Sequence, residues 1–296
     1  MAIILDHQLR EQIPHNNSEF PITYFHDELA ALPDLAGPLH WHPEFEIATA
    51  MHQSLDFQVG QEHIILEAGD SIFVNGNILH GIRQTGGDIP DPMPNIVFSG
   101  GVIASETNAI NQKYIKPIFT CDSLPYTVFR NNTEEHRRIN RLISEIYQAI
   151  KVRGDCYEIT VQRNLGIIFE YIYQNFDKLP KSHASRIQIS AQVRIQKMLS
   201  YIYEHYTENV TLADIASSAN ISRSEAGRCF NAYMGCSPID ALIKHRLGVA
   251  QRLLSETDLT LQQICIECGF SSVNYFSRQF VKKYGISPGN FRKLGK

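Results

Sequence analysis

One six-residue pattern occurs twice near the end of the chain, and it restricts the fold more than any other feature. Thr211-Leu212-Ala213-Asp214-Ile215-Ala216 returns 49 residues later as Thr260-Leu261-Gln262-Gln263-Ile264-Cys265. Each copy then reaches a turn, Asn220-Ile221-Ser222 in the first and Gly269-Phe270-Ser271 in the second. Asn and Gly adopt the left-handed conformation most readily, and a sharp turn between two helices requires it. The second halves also end alike, Phe230 before Gly235-Cys236-Ser237-Pro238 and Phe280 before Gly285-Ile286-Ser287-Pro288. There the offset is 50, so the second copy holds one extra residue between turn and Phe. This spacing predicts two units of helix, tight turn and helix, with Leu212, Ile215, Ile221, Phe230, Ile264, Phe270, Phe276 and Phe280 as core.

Between the units, residues 239 to 254 are broken only by Gly248, and Leu242, Ile243, Leu247, Ala250, Leu253 and Leu254 form a stripe. A rigid connecting helix is expected, one that fixes the separation of the two units. Two recognition helices entering successive major grooves must stand about 34 Å apart along one DNA face. A protein-interaction module built on a duplicated hairpin has the same local signature, and charge weighs against it. Residues 187 to 296 hold 13 Lys plus Arg against 8 Asp plus Glu, whereas residues 1 to 186 hold 14 against 23. A basic region releases counterions when it meets phosphates and an acidic one is repelled, so a polyanionic partner belongs to the tail.

The rest of the chain reads differently. From about residue 23 to 128, short runs such as Leu55, Phe57, Val59 and Ile72-Phe73-Val74 are punctuated by Gly60, Gly69-Asp70 and Asn75-Gly76-Asn77, which predicts an all-β barrel or sandwich. Residues 86 to 95, rich in Gly and Pro, read as a loop. After residue 132 the period becomes helical. Ile139, Leu142, Ile143, Ile146 and Ile150 line one stripe behind a Thr133 cap, and residues 159 to 176 form a second apolar helix carrying Leu165, Ile168, Phe169 and Ile172. Such a pair is a core layer or a dimer seam, and a homodimer held partly by Ile139, Leu142, Ile146 and Ile150 is expected, since a helix apolar on one face must bury it somewhere. Residues 177 to 190 turn polar and read as a linker. Six cysteines spread through 296 residues suit a reducing compartment, and neither a leader nor a membrane span is visible, so the cytoplasm is expected.

The tail resembles the C-terminal domain of the AraC/XylS family of transcription regulators. The resemblance runs from about residue 195 to 293 and rests on Arg246-Leu247, Ala250, Leu253-Leu254, Ile264, Gly269-Phe270, Tyr275-Phe276, Arg278, Phe280, Lys282-Lys283, Gly285, Ser287-Pro288 and Phe291-Arg292. It implies that the outward faces of the two recognition helices touch bases, at Ser224, Gly227 and Arg228 in the first and at Val273, Asn274, Ser277 and Arg278 in the second. Gly227 has no side chain to offer, which leaves Arg228 as the best reader of the first helix. The chemistry agrees: Arg pairs bidentately with guanine, Asn with adenine, and Val or the Ser methylene presses on a thymine methyl. Lys282, Lys283 and Arg292 are expected on phosphates.

Around residue 40 stands His40-Trp41-His42-Pro43-Glu44-Phe45-Glu46, with His80 downstream. On one strand, even-numbered residues share a face, so His40, His42 and Glu46 would point one way, and a fourth ligand from another strand would complete a set for a divalent metal. This resembles the cupin motif pair, over about residues 38 to 84. In AraC-type regulators the resemblance implies an effector pocket, often for a sugar, so His40, Trp41, His42, Glu46 and His80 are candidates for effector contact. The same four His and Glu residues are candidates for a metal, and a purely structural role stays open. Trp41 is suited to stacking on a sugar face or to the core. Cys265 and Cys268 occupy the positions of Ala216 and Ala219 in the repeat and read as small buried residues rather than ligands.

The expected architecture is α+β and multidomain: a cupin-like effector domain at residues 1 to 130, a helical dimerisation segment at 131 to 180, a linker at 181 to 190, and an all-α DNA-binding domain with two helix-turn-helix motifs at 191 to 296. The expected function is sequence-specific regulation of transcription, with double-stranded DNA, a small-molecule effector, a second copy of the chain and, for an activator, RNA polymerase as partners. No cofactor is required, and a divalent metal in the barrel is the one candidate. The competing reading is a metal-dependent cupin enzyme, an isomerase or dioxygenase, fused to a DNA-binding tail.

Overall fold

The computed structural model describes residues 5–294 apart from 7–8, 16, 27–28, 30–34, 86–89, 91, 122 and 180–185, together with the backbone alone at 186–190 and 294. The chain divides into two compact units, Met1–Ile189 and Ser190–Lys296.

Among its described residues the first unit holds nine strands: β1 (Ile22–Phe25), β2 (Ala36–His40), β3 (Phe45–Thr49), β4 (Leu55–Val59), β5 (Glu62–Leu66), β6 (Ser71–Val74), β7 (His80–Gln84), β8 (Asn95–Phe98) and β9 (Tyr126–Phe129). They pair antiparallel in two sheets, ordered β1-β8-β3-β6-β9 and β2-β7-β4-β5. Alternation fixes which side chains each face buries. In β4, Leu55, Phe57 and Val59 are buried and join Ala48, Ile64, Leu66, Ile72, Val74 and Ile82 in one cluster. Phe45, Ile47, Phe73, Ile96 and Phe98, on the other face of the five-stranded sheet, belong to a second. That sheet is therefore apolar on both sides, and its second face has to be covered.

Two helices cover it. After β8 the chain makes a 3-10 turn (Gly100–Val102), a π-helical turn (Asn111–Ile115) and α1 (Lys116–Phe119), then passes through β9 into α2 (Glu134–Val152) and α3 (Tyr157–Gln174). Thr133 caps α2 by accepting from the His136 N–H. Ile139, Ile143, Ile146 and Ile150 are buried and Leu142 half-buried, all in the cluster with Phe45, Phe73, Leu165, Ile168, Phe169 and Ile172. The stripe is thus a core layer of one chain, and the dimer seam expected at Ile139, Leu142, Ile146 and Ile150 is corrected: the apolar sheet face takes those side chains. Ile159, expected in the apolar helix, is 62% exposed. Half of the loop expected at 86–95 lies outside the described residues, and its last residue opens β8. The linker expected at 181–190 lies partly outside them, and the chain is helical again from Arg186.

The second unit contains α4 (Arg186–His205) from Ser190 onward, α5 (Leu212–Ser218), α6 (Arg223–Met234), α7 (Pro238–Glu256), α8 (Leu261–Glu267), α9 (Val273–Tyr284) and α10 (Pro288–Leu294). The repeated Thr is the N-cap of α5 and of α8, in each case closing a reciprocal pair with the side chain three residues on, Asp214 or Gln263. The turns use φ of +55° at Asn220 and +72° at Gly269. Only Gly fits the second turn, because a Cβ there would collide with the Tyr206 carbonyl oxygen. Ile264, Cys265, Cys268, Phe270, Phe276 and Phe280 pack with Leu247, Ala250 and Leu254 of α7. Ile215 and Phe230 are buried as expected, while Leu212 and Ile221 are half-buried. Both Cys265 and Cys268 are buried like Ala216 and Ala219, and the Cys265 thiol donates to the Phe270 carbonyl at 3.4 Å. Among the described residues no helix is long and apolar enough to cross a membrane.

Candidate functional site

The outward face of the second unit is set by what α6 and α9 bury. On α9, Phe276 and Phe280 go into the core, and helical periodicity then presents Asn274, Arg278 and Lys282 to solvent one turn apart. Ser277 is half-buried, and half-buried Val273 packs against the core. On α6, Ser224 and Arg228 are exposed, and a Cβ at Gly227 would meet nothing within 4 Å, so this face is open. Glu225 on the same helix turns aside into an ion pair with Arg194 of α4. Two of the three cations expected on phosphates are otherwise engaged. Arg292 donates to the Leu259 carbonyl at 2.6 Å and braces the loop before α8. Lys283 bonds the Lys244 carbonyl and lies over the Tyr284 ring.

In the first unit, His40, His42, Glu46 and His80 come together with one ligand atom from each inside a 4.8 Å sphere of mutual distances, all four buried. They do not share one strand. His40 ends β2 and pairs in register with His80 at the start of β7, whereas Glu46 lies on β3 of the other sheet. A bend at Pro43 and Glu44 carries the chain between the sheets, because Pro cannot continue a strand ladder. Trp41 lies between two ligands in extended chain, so alternation turns it away from them, and the Arg10 guanidinium sits 5.8 Å from its ring centre.

Each imidazole is held the same way. His40 Nδ1 lies 2.8 Å from the Pro38 carbonyl, His42 Nδ1 3.1 Å from the Glu44 carbonyl and His80 Nδ1 2.7 Å from the Ile78 carbonyl. A carbonyl only accepts, so each Nδ1 carries the proton and each Nε2 is aimed inward. Glu46 Oε2 stands 3.2 Å from His42 Nε2 and 2.9 Å from His80 Nε2. Burial, with help from His80, pushes the His40 imidazole down to about 3. Burial alone would raise the Glu46 carboxyl, but the His80 charge and the hydrogen bonds from His42 and His80 hold it well below the carboxylate range. For His80 the same carboxylate outweighs burial and raises the ring. One residue with no sequence signal joins them: Glu11 Oε2 is 3.3 Å from His40 Nε2, its side chain 10% exposed. On the far side of the bend, Pro43, Glu44 and Phe45 help line an open cleft of about 470 Å³ that Asn111, Gln112 and Ile115 of the π-helical turn also border.

A helix-turn-helix domain family matches residues 215–294. The chain is 32% identical to the probable transcriptional regulator LumQ of Photobacterium leiognathi, over 88% of this chain and 93% of that protein. It is 25% identical to the uncharacterized HTH-type transcriptional regulator YdeC of Bacillus subtilis (strain 168), over 98% of each. Its identity to the melibiose operon regulatory protein of Escherichia coli (strain K12) is 23%, over 88% of this chain and 85% of that one.

Proposed function

This chain belongs to the AraC family of DNA-binding transcription regulators, and from that premise we propose how its two units divide the work. In the second unit, α5–α6 and α8–α9 are two helix-turn-helix motifs. Arg278 and Asn274 read bases from α9, with Val273 and Ser277 supplying apolar contact. Arg228 and Ser224 do so from α6, and Lys282 holds a phosphate. The chain acts in the cytoplasm as a homodimer on double-stranded DNA and engages RNA polymerase where it activates. Since the α2 stripe is consumed internally, the 131–180 segment would dimerise through its outer faces, where Val152, Ile159 and Tyr173 are exposed.

The first unit, a cupin-like barrel, is the sensor, and His40, His42, Glu46 and His80 are its contact residues, whereas Trp41, turned away from them, serves the N-terminal segment. The observation that carries this reading is the buried polar cluster itself. Three imidazoles and a carboxylate are costly to desolvate together even when paired, and clusters of this kind concentrate at functional sites. Ligand binding biases DNA affinity only by favouring one of two arrangements of the protein.

A second reading makes a divalent metal part of that ligand. The three Nδ1-to-carbonyl bonds favour it, because they fix the tautomer and orientation that metal-binding histidines need. His40, His42, His80 and Glu46 would hold the ion, which supplies a positive, Lewis-acidic centre for an oxygen of a small molecule. Metal analysis of the purified full chain, followed by its affinity for a selected genomic DNA fragment before and after chelation, tests both readings. The expected result is about one equivalent of metal and a DNA affinity that changes on chelation. Metal-free protein excludes the second reading. The sensor reading fails if His80→Ala leaves every small-molecule response of DNA binding intact.

A further inference from the structure

We infer that Glu11 is a fifth ligand of the histidine cluster, so that cation binding and docking of the N-terminal segment are a single linked equilibrium. The inference rests on the metal reading of the four-residue cluster and extends it to a residue far outside the motif.

The segment is placed by backbone bonds around the ligands. Leu5 bridges Glu11, and Arg10 bridges Trp41 in parallel. The Trp41 N–H donates to the Leu9 carbonyl at 3.0 Å and the Glu11 N–H to the Trp41 carbonyl at 2.9 Å. Trp41 stands between His40 and His42, so these bonds lay Glu11 beside the cluster. Leu9 is buried and held at φ +60°, a left-handed conformation that a Leu adopts only where its surroundings hold it there. The Asp6 carboxylate stabilises the turn by accepting from the Arg10 N–H.

Geometry and charge then specify what Glu11 does. The His40 Nδ1–H points at the Pro38 carbonyl, so in the neutral ring Nε2 presents a lone pair to the Glu11 carboxylate at 3.3 Å. Two electron-rich atoms so close and so buried call for positive charge between or beside them. Around Glu46, His80 Nε2 and His42 Nε2 stand at 2.9 and 3.2 Å, contacts bridged by protons that a cation would displace. Ligand atoms each about 2.0–2.2 Å from one cation stand roughly 2.8–3.5 Å apart along a coordination edge, and all three separations fall in that range. Three neutral imidazoles and Glu46 alone would leave a divalent cation one charge short of neutrality in a buried site. Glu11 supplies that charge. A cation therefore gains a ligand only when the segment is docked, and the segment is held more firmly when the cation is bound.

The test is a calorimetric titration of full-length protein with Co²⁺, using wild type, Glu46→Gln and Glu11→Gln, with hydrogen exchange of residues 9–11 and 41 measured with and without Co²⁺. The inference expects Glu11→Gln to weaken Co²⁺ binding by at least about 10-fold, and Co²⁺ to slow exchange in residues 9–11 in wild type but not in Glu11→Gln. Wild-type affinity in Glu11→Gln, with binding lost in Glu46→Gln, overturns the role of Glu11 and leaves the four-residue site standing. No Co²⁺ binding by wild type overturns both. Should Glu46→Gln fail to fold by circular dichroism, the Glu11→Gln affinity and the wild-type exchange data still decide.

Discussion

Arg278 and Lys282 stand one turn apart on the exposed face of α9, yet their chemistry and their distance from the turn separate their effects. Arg278 is nearer the start of the helix, where a side chain enters the groove, and a bidentate guanine contact there is worth roughly 1–3 kcal/mol of discrimination. Arg278→Ala should relax preference at one base pair. Lys282→Ala should weaken specific and nonspecific binding alike and lower the salt slope by about one. Binding-site selection with both variants checks this, and an unaltered preference in Arg278→Ala would mean that Arg278 does not read a base. At this scale the sequence was legible where a residue's role follows from its neighbours along the chain. The helix period put Asn274 and Arg278 outside and Phe276 and Phe280 inside. Roles set by distant partners were not legible: Arg292 is a cation 33 residues from the carbonyl it braces, and Glu11 meets His40 only through tertiary structure.

At the scale of elements, α2 shows what periodicity can and cannot say. A stripe at helical spacing has to be buried, but the pattern is the same whether the cover is a sheet or a second chain. The outer face of the five-stranded sheet decided it, with Phe45, Ile47, Phe73, Ile96 and Phe98 already demanding cover. Ile146→Ala should therefore cost about 2–5 kcal/mol through the cavity it leaves. That loss, measured by urea unfolding, should be the same at low and high protein concentration. A loss that grows with dilution would place the residue at a subunit contact instead. The histidine motif was read as one strand, and the reading failed at a single bend. His40, His42 and Glu46 still converge because facing sheets bring their inner side chains together much as one strand face does.

At the scale of the whole molecule, the charge of −9 up to residue 186 and +5 beyond it coincides closely with the division into units at 189 and 190. The boundary was legible as charge because only one unit has to approach a polyanion. Affinity of the full chain for duplex DNA should therefore fall steeply with salt, by about 10³-fold between 50 and 200 mM for six phosphate contacts, and residues 190–296 alone should keep most of that slope. A flat response in filter-binding assays would remove the electrostatic basis of the reading. The bend at Pro43 and Glu44 has a further consequence, in time rather than in space. Because it splits the cluster between two sheets, residues 40, 42, 46 and 80 meet only after both sheets have paired, and the entropy of closing those loops is spent before any contact among them is gained. The cluster is thus expected to form late, and His80→Ala should leave the folding rate close to wild type in a stopped-flow comparison. A ligand held there lengthens the lifetime of the folded unit by slowing its unfolding and leaves the rate at which it folds almost untouched.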